Sequence, residues 1–138
     1  MPSVKPQYKH SDVTDRIIGV FYDVYNVLGY GFLEKVYERA MVMRLEKAGL
    51  AVRAQEQIDV YFDGELIGHY TADLVVNDVV LVELKAADRL APEHEAQLLN
   101  YLRATDIEVG LLLNFGNEPK VVRRVFDNHR KRSLRGKE

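Results

Sequence analysis

Apolar positions recur at helical spacing in the first third of the chain and at strand spacing beyond it. Two helices are predicted near the start, over Asp12–Leu28 and Leu33–Ala48, and the glycines that follow each pattern are typical of helix ends. After residue 50 the period changes to alternation and to short, continuous apolar runs. The remaining predicted elements are strands over Val52–Phe62, Leu66–Val76, Val79–Lys85 and Ile107–Asn114, a helix over Pro92–Ala104, and a short final strand or helix over Lys120–Phe126.

Turn residues set the order of the strands. The pair Asp63-Gly64 is typical of a type I′ hairpin, and Asn77-Asp78 marks a second reversal, so the first three strands are predicted to be antiparallel. The apolar run of the third strand, VVLVELK, indicates burial on both faces of a sheet. We therefore predict an α/β fold: a mixed central β-sheet flanked by helices, in the order two helices, three antiparallel strands, a helix and a strand.

Length and composition narrow the class of protein. The 138 residues suit one domain, predicted over residues 1–126 and followed by a basic tail over residues 127–138. Without cysteine, the chain has no disulfide, thiolate metal site or cysteine nucleophile. No apolar run approaches the roughly 20 residues of a membrane span, and no secretory signal opens the chain, so we expect a cytoplasmic location and no membrane partner. The lack of a glycine-rich phosphate loop, HExxH and GxSxG gives nucleotide kinases, zinc proteases and serine hydrolases no support.

The formal net charge of −2 hides an uneven distribution. Residues 123–138 carry seven Lys or Arg and two acids, a net charge of +5, whereas the first 122 residues carry a net −7. An acidic body with a basic end leaves two interpretations open. The end is either a solvated terminus or an arm attracted to phosphate.

Charged residues interrupt the most apolar of the predicted strands. Glu83 and Lys85 are two residues apart, so their side chains leave the same face, where burial is costly unless they pair or bind a ligand. One interpretation is an ion pair on a solvent-facing sheet surface. Asp73 on the preceding strand favours a functional site instead, because two carboxylates suit a hard cation such as Mg²⁺. Lys85 beside them suits the activation of water, or the stabilisation of charge, in phosphodiester hydrolysis.

The hairpin between these two strands decides whether the carboxylates meet. If Asn77-Asp78 formed a two-residue turn, Asp73 would face Val82 and Glu83 would point to the other side of the sheet. The site therefore requires a three-residue loop over residues 77–79, or a bulge in one strand. We predict that one of these is present.

Three motifs along the chain resemble those of one group of nucleases. Asp73 followed by Glu83-Leu84-Lys85 resembles the D…(D/E)xK core of the PD-(D/E)XK nuclease superfamily, although Ala72 stands where the superfamily name has Pro. The segment GFLEKVY (31–37) matches the motif that names the GxxExxY family within it. The segment QLLNY (97–101) is similar to the QxxxY motif of nucleases related to the RecB nuclease domain. The resemblance extends over roughly residues 12–126.

The resemblance implies a restriction-endonuclease-like core and a nuclease that hydrolyses nucleic acid with metal-activated water. It implies that Asp73 and Glu83 are ligands of Mg²⁺, or of Mn²⁺, and that Lys85 is the catalytic lysine. It also implies that Glu34 is an additional acid that contacts the metal or orients Lys85. Three further residues are expected to bind the substrate or to brace the site: Gln97, Tyr101 and Tyr37.

Nucleic acid, DNA rather than RNA, is the expected partner. A domain of this size would obtain sequence specificity from a homodimer or from a partner protein. The acidic body leaves two alternatives open, because a nuclease usually offers phosphate a positive channel. One is a nucleic-acid-binding or assembly module of the same fold with weak or absent turnover. The other is a hydrolase of small phosphate esters or nucleotides that uses the same pocket.

Overall fold

The computed structural model describes residues 8–132 and 134–136. The helices are α1 (Ser11–Leu28), α2 (Glu34–Lys47) and α3 (Pro92–Arg103), and a 3₁₀ turn covers Asn128–Arg130. The strands are β1 (Val52–Phe62), β2 (Glu65–Val76), β3 (Val80–Lys85), β4 (Val109–Phe115) and β5 (Pro119–Val125). The predicted elements are confirmed to within two residues at each end, and the open assignment near residue 120 is a strand.

The five strands form one mixed sheet in the order β1-β2-β3-β4-β5. Every neighbouring pair is antiparallel except β3 and β4, which run parallel and are joined through α3. Pro92 begins this crossover helix, where its missing N–H costs nothing. The predicted mixed sheet flanked by helices is confirmed. Across residues 8–132 and 134–136, no helix is long and apolar enough to span a bilayer.

Helices cover both faces of the sheet. α1 and α2 pack on one face, where their buried residues form a core with Val82 and Leu84 of β3. α3 packs on the other face, where Leu98 and Leu102 contact a smaller core that includes Leu81. Because side chains alternate along a strand, Glu83 and Lys85 belong to the α3 side of β3. The predicted burial of β3 on both faces is confirmed.

The pleat of the sheet inverts where β1 and β2 pass Asp73. Leu74 lies in the core under α1 and α2, whereas Ala72 lies in the core under α3, although residues two apart in a regular strand share a face. Across the ladder, Gln55 is the residue opposite Asp73, and it adopts a left-handed φ of 54°. The irregularity therefore falls at a residue that the sequence singles out for its chemistry.

A side chain at the end of β4 fixes the chain as it leaves β3. Asn114 is 2% exposed; its Oδ1 accepts the Ala87 N–H at 3.0 Å and its Nδ2 donates to the Ala87 carbonyl at 2.9 Å. A Cβ built on the neighbouring Gly116 would lie 2.3 Å from the same Ala87 carbonyl oxygen. The two hydrogen bonds from Asn114 hold the segment just beyond Lys85, and the lack of a side chain at Gly116 leaves room for it.

The described part of the basic end lies against the body of the protein. Lys131 Nζ donates to the carbonyls of Thr105 and Ile107, both at 2.8 Å, and its burial lowers its pKa to about 8. The Leu134 carbonyl accepts the Tyr61 N–H at 3.0 Å, which adds the tail to the edge of β1. Lys131 and Leu134 are therefore held against the body, whereas Arg130 and Arg132 are exposed. Residues 133, 137 and 138 of the basic tail lie outside the described residues.

The close approach at Gly116 predicts opposite effects for one substitution at two sites. Gly116→Ala is expected to lower the free energy of unfolding by about 1–3 kcal/mol, because the new methyl group meets a backbone carbonyl that cannot move independently. Gly19→Ala, in the open middle of α1, is expected to raise it by about 0.5–1 kcal/mol through helix propensity. Urea denaturation of both variants measures the two changes. Equal effects would contradict the packing described around Ala87.

Candidate active site

A three-residue loop joins β2 and β3. Val76 pairs with Val80, so residues 77–79 form the loop, and Asn77 and Asp78 both take left-handed φ values, of 52° and 60°. The first of the two alternatives that the sequence leaves open is therefore the one present. With this register, Asp73 lies opposite Glu83 rather than Val82.

Two carboxylates replace the backbone ladder at the end of this hairpin. The paired residues of β2 and β3 end at Leu74 and Val82. Beyond them, Glu83 Oε2 accepts the Asp73 N–H at 2.9 Å, and Asp73 Oδ2 accepts the Leu84 N–H at 2.7 Å. Each acid thus binds the backbone of the opposite strand, which fixes both side chains and satisfies two part-buried donors.

Burial and mutual repulsion disfavour the charged forms of this pair. Glu83 is 3% exposed; burial, followed by the charge of Asp73, raises its pKa to about 8. Burial also raises the pKa of Asp73, against the hydrogen bond from the Leu84 N–H. The positive charge of Lys85, half-buried at the end of β3, acts in the opposite direction on both acids. A second positive charge at this point would relieve the repulsion that remains.

Glu34 stands near the pair but is not gathered with it. It is the first residue of α2, and its negative charge contributes to the raised pKa of both Asp73 and Glu83. Its side chain is exposed, and within residues 8–132 and 134–136 no three acidic or histidine side chains are close enough together to form a metal cluster. The two strand carboxylates are therefore the group best placed to hold a cation, with Glu34 further out.

Tyr37 holds the loop that leads into α2. Its ring is fully buried and stacks on Phe115 at a centroid distance of 4.1 Å and an interplanar angle of 16°. Its hydroxyl donates to the Gly29 carbonyl at 2.6 Å and accepts the Phe32 N–H at 3.2 Å. These contacts fix the loop that leads into α2 and Glu34, and the ring packs in the core.

Tyr101 and Gln97 belong to α3, which packs on the face of the sheet to which Glu83 belongs. Tyr101 is 5% exposed, and burial, together with the charges of Glu83 and Asp73, raises its pKa to about 12. Gln97, one turn earlier, lines the same cavity as Tyr101. His94, in the first turn, instead caps the helix, because its Nδ1 accepts the Ala91 N–H at 3.1 Å.

Comparison with known proteins identifies the family. A family model described as the PD-(D/E)XK nuclease superfamily matches residues 11–125, a range that contains both carboxylates and Lys85. The chain belongs to the PD-(D/E)XK nuclease superfamily. An alkaline exonuclease from Laribacter hongkongensis (LHK-Exo) has a similar fold, with a TM-score of 0.50 at 12% identity over 89% of this chain and 74% of that chain. No curated protein matches the chain.

Two residues near the acid pair of this PD-(D/E)XK domain were missed by sequence reasoning. Glu38 lies one helical turn after Glu34, and its negative charge raises the pKa of Asp73. Gln55, opposite Asp73 on β1, donates its side-chain amide to Glu38 Oε1. The four-residue spacing of the two glutamates was a readable signal, since such residues share a helix face. The backbone conformation of Gln55 had none, because left-handed φ values are uncommon outside glycine.

The hydroxyl contacts of Tyr37 predict that removal of the hydroxyl loosens the loop before α2 in this PD-(D/E)XK domain. Tyr37→Phe is expected to lower the free energy of unfolding by about 1–2 kcal/mol and to speed amide exchange at Phe32, because the Phe32 N–H loses its acceptor while the ring stack remains. Tyr22→Phe, on the exposed face of α1, is the matched control and is expected to change neither quantity. Unchanged amide exchange at Phe32 in Tyr37→Phe would show that the Tyr37 hydroxyl does not order this loop.

The raised pKa of Glu83 predicts that its contribution to stability falls as the pH rises. A chelator is included so that no cation binds the carboxylate. The folded protein holds the Glu83 proton up to about pH 8, whereas the unfolded chain releases it near 4.5, so this group stabilises the fold below pH 4.5 and loses that contribution as the pH rises to 8. Glu83→Gln is expected to be more stable than the wild type at pH 8 by at least about 1 kcal/mol, with the difference shrinking towards pH 4.5.

Urea denaturation at several pH values measures this difference. Glu46→Gln, on the exposed face of α2, provides the matched control. A difference between Glu83→Gln and the wild type that does not grow with pH would show that burial of this carboxylate has no such effect.

Proposed function

We propose that the chain is a divalent-metal-dependent nuclease that hydrolyses phosphodiester bonds of nucleic acid, DNA in preference to RNA. The observation that carries the proposal is the reciprocal pairing of Asp73 and Glu83 across the end of a hairpin, with Lys85 beside them. Membership of the PD-(D/E)XK nuclease superfamily supports the reaction class. A fold similar to that of an alkaline exonuclease is consistent with it.

The donor atoms at this site fit Mg²⁺ or Mn²⁺. Both are hard cations that prefer carboxylate oxygen. Asp73 and Glu83 each use one oxygen for the backbone, and within the described residues no hydrogen bond reaches Asp73 Oδ1 or Glu83 Oε1. These two oxygens would hold the cation, with Glu34 contacting it through water. When bound, the cation supplies an acidified water and neutralises charge on the phosphate.

The residues of the chain itself would prepare the site for that chemistry. The backbone N–H groups of Asp73 and Leu84 orient the carboxylates before any ligand arrives. Lys85, whose charge acts on both acids, would hold the scissile phosphate or the attacking water and stabilise charge that develops on phosphorus. Cation binding requires deprotonated carboxylates. Because the pKa of Glu83 is raised, the site would bind the cation best at mildly alkaline pH.

We also propose that the domain is a member of the GxxExxY family. The motif residues of segment 31–37 have separate physical roles that support this. Gly31 takes a φ of 109°, which favours glycine, and Tyr37 anchors the loop through its hydroxyl. Between them, Glu34 begins α2 at a position from which its charge acts on both Asp73 and Glu83.

A cleavage assay tests the proposed reaction. With Mg²⁺ or Mn²⁺, the wild type is expected to cleave at least one of single-stranded DNA, double-stranded DNA, branched DNA and RNA, and a chelator is expected to abolish cleavage. Asp73→Ala and Lys85→Ala are each expected to lower the rate by a factor of about 100 or more, because each removes charge that acts directly at the reacting phosphate. Asp15→Asn and Lys47→Ala are the charge-matched controls, because both residues are exposed and neither is among the charges that act on Asp73 and Glu83.

Cleavage that survives both active-site substitutions would overturn this mechanism. Calorimetric titration of the protein with Mg²⁺ gives a second measurement that does not depend on turnover. Binding of the cation is expected in the wild type and is expected to be lost in Glu83→Ala.

The alternative of a nucleic-acid-binding or assembly module remains a second candidate because the body of the protein carries a net −7 before residue 123. Such a module would bind the cation and nucleic acid without cleaving any of the tested substrates. The combination of the two assays therefore separates it from the proposed nuclease.

A further inference from the structure

A cavity of about 410 Å³ lies between β2 and α3, beside the candidate active site. Two tyrosines form its aromatic wall: Tyr70 of β2 and Tyr101 of α3 lie with their ring centroids 5.6 Å apart and their planes tilted by 41°. Tyr70 is 53% exposed and faces the opening, whereas Tyr101 is buried behind it. The polar and outer parts of the lining come from Glu93, Gln97, Asn100 and Leu134.

The cavity adjoins the acid pair. Tyr101 belongs to both, since it lines the cavity and feels the charges of Glu83 and Asp73. Tyr70 lies three residues before Asp73 on the same strand, which at about 3.3 Å per residue places the two backbone positions about 10 Å apart. A nucleic acid strand whose phosphate reaches the acid pair therefore brings a neighbouring nucleotide to the cavity.

The lining of the cavity suits a base better than a phosphate. Its only charged member is the acidic Glu93, and no Lys or Arg is among the described residues that line it. Tyr70 offers an exposed ring face, and Gln97 offers an amide that both donates and accepts hydrogen bonds. Asn100 Oδ1 accepts a hydrogen bond from Arg103 at 3.2 Å, so the group that Asn100 offers a ligand is its Nδ2 donor. An uncharged planar ring with a hydrogen-bonding edge matches this set of groups.

We propose that this cavity binds one unpaired base of the nucleic acid strand that the active site holds, with the base stacked on Tyr70 and its edge against the amides of Gln97 and Asn100. The proposal rests on the proposed function, because it takes the ligand to be that substrate. A base reaches such a cavity only when it is unpaired. The site therefore favours single-stranded segments or strand ends over intact duplex.

Leu134, in the described part of the basic tail, forms one wall of this site. The hydrogen bond from the Tyr61 N–H to the Leu134 carbonyl, and the two bonds from Lys131 to the 105–107 segment, hold the tail in place. Leu134 then closes the cavity beside Tyr101. Through Leu134, the described part of the tail would contribute to the shape of the base site.

The test compares two ligands that differ only in their bases. One is a single-stranded oligothymidylate, and the other is a strand of the same length with abasic sugars throughout. Affinities are measured at fixed salt with Mg²⁺ in the Lys85→Ala background, so that the strand stays intact. The Lys85→Ala protein is expected to bind the oligothymidylate at least about tenfold more tightly than the abasic strand, which is the effect expected of one base-stacking contact. Adding Tyr70→Ala is expected to abolish that ratio.

Two matched variants control this comparison. Tyr70→Phe keeps the ring and is expected to keep the ratio, whereas Tyr22→Ala, an exposed tyrosine on the opposite side of the sheet, is expected to leave it unchanged. Circular dichroism verifies that each variant is folded. Because Tyr70 is half-exposed, its truncation leaves the core intact.

Each outcome separates this proposal from the proposed reaction. A ratio that persists in Tyr70→Ala, a ratio near one in the Lys85→Ala background, or no measurable binding of either strand overturns the base site even if metal-dependent cleavage is observed. A ratio that depends on Tyr70, found without any cleavage by the wild type, supports the base site and overturns the nuclease reaction. Duplex DNA bound as tightly as the single strand would also overturn the requirement for an unpaired base.

Discussion

Two hydrogen bonds between side chains and backbone connect the fold of this protein to its chemistry. Where β2 and β3 stop pairing, the Asp73 and Leu84 N–H groups would be left without acceptors, and the two carboxylates supply them. The same bonds hold two acids together in a site where burial raises the pKa of both. The two N–H groups of the hairpin thus obtain acceptors, but the two carboxylates that supply them repel each other. A bound cation would relieve that repulsion, so the structural and the proposed catalytic requirements meet in the same pair.

The supporting residues explain why the motif elements are spread along the chain. Tyr37 joins α2 to β4 through its stack on Phe115, and Asn114, one residue earlier on β4, holds Ala87 beyond the end of β3. β4 in turn pairs directly with β3, which carries Glu83. Rigid packing of this kind is what positions side chains to within the tolerance that catalysis requires. Gly31 and Tyr37 therefore fix the loop after which α2 begins at Glu34.

Much of this arrangement follows from local rules, and the parts that do not have a physical reason. Periodicity and turn chemistry are local, so they predict the elements, and the two-residue repeat of a strand makes a three-residue loop the condition for Asp73 to meet Glu83. The inversion of the pleat at Gln55 depends on a left-handed backbone in a residue that seldom adopts it. The docking of the tail depends on contacts between segments far apart in sequence, which no periodic pattern carries.

The charge distribution and the proposed site pose one binding problem. A body with a net charge of −7 repels phosphate, and in the described tail Lys131 and Arg135 are bound to the 105–107 segment and so are not available to attract it. Affinity for a nucleic acid strand would then draw on contacts in addition to the exposed Arg130 and Arg132. The cation proposed at Asp73 and Glu83 would be one such contact, and the proposed stacking of a base on Tyr70 would be another. Two such contacts, about 10 Å apart along β2, would let an acidic domain of this size orient a strand without an extended positive surface.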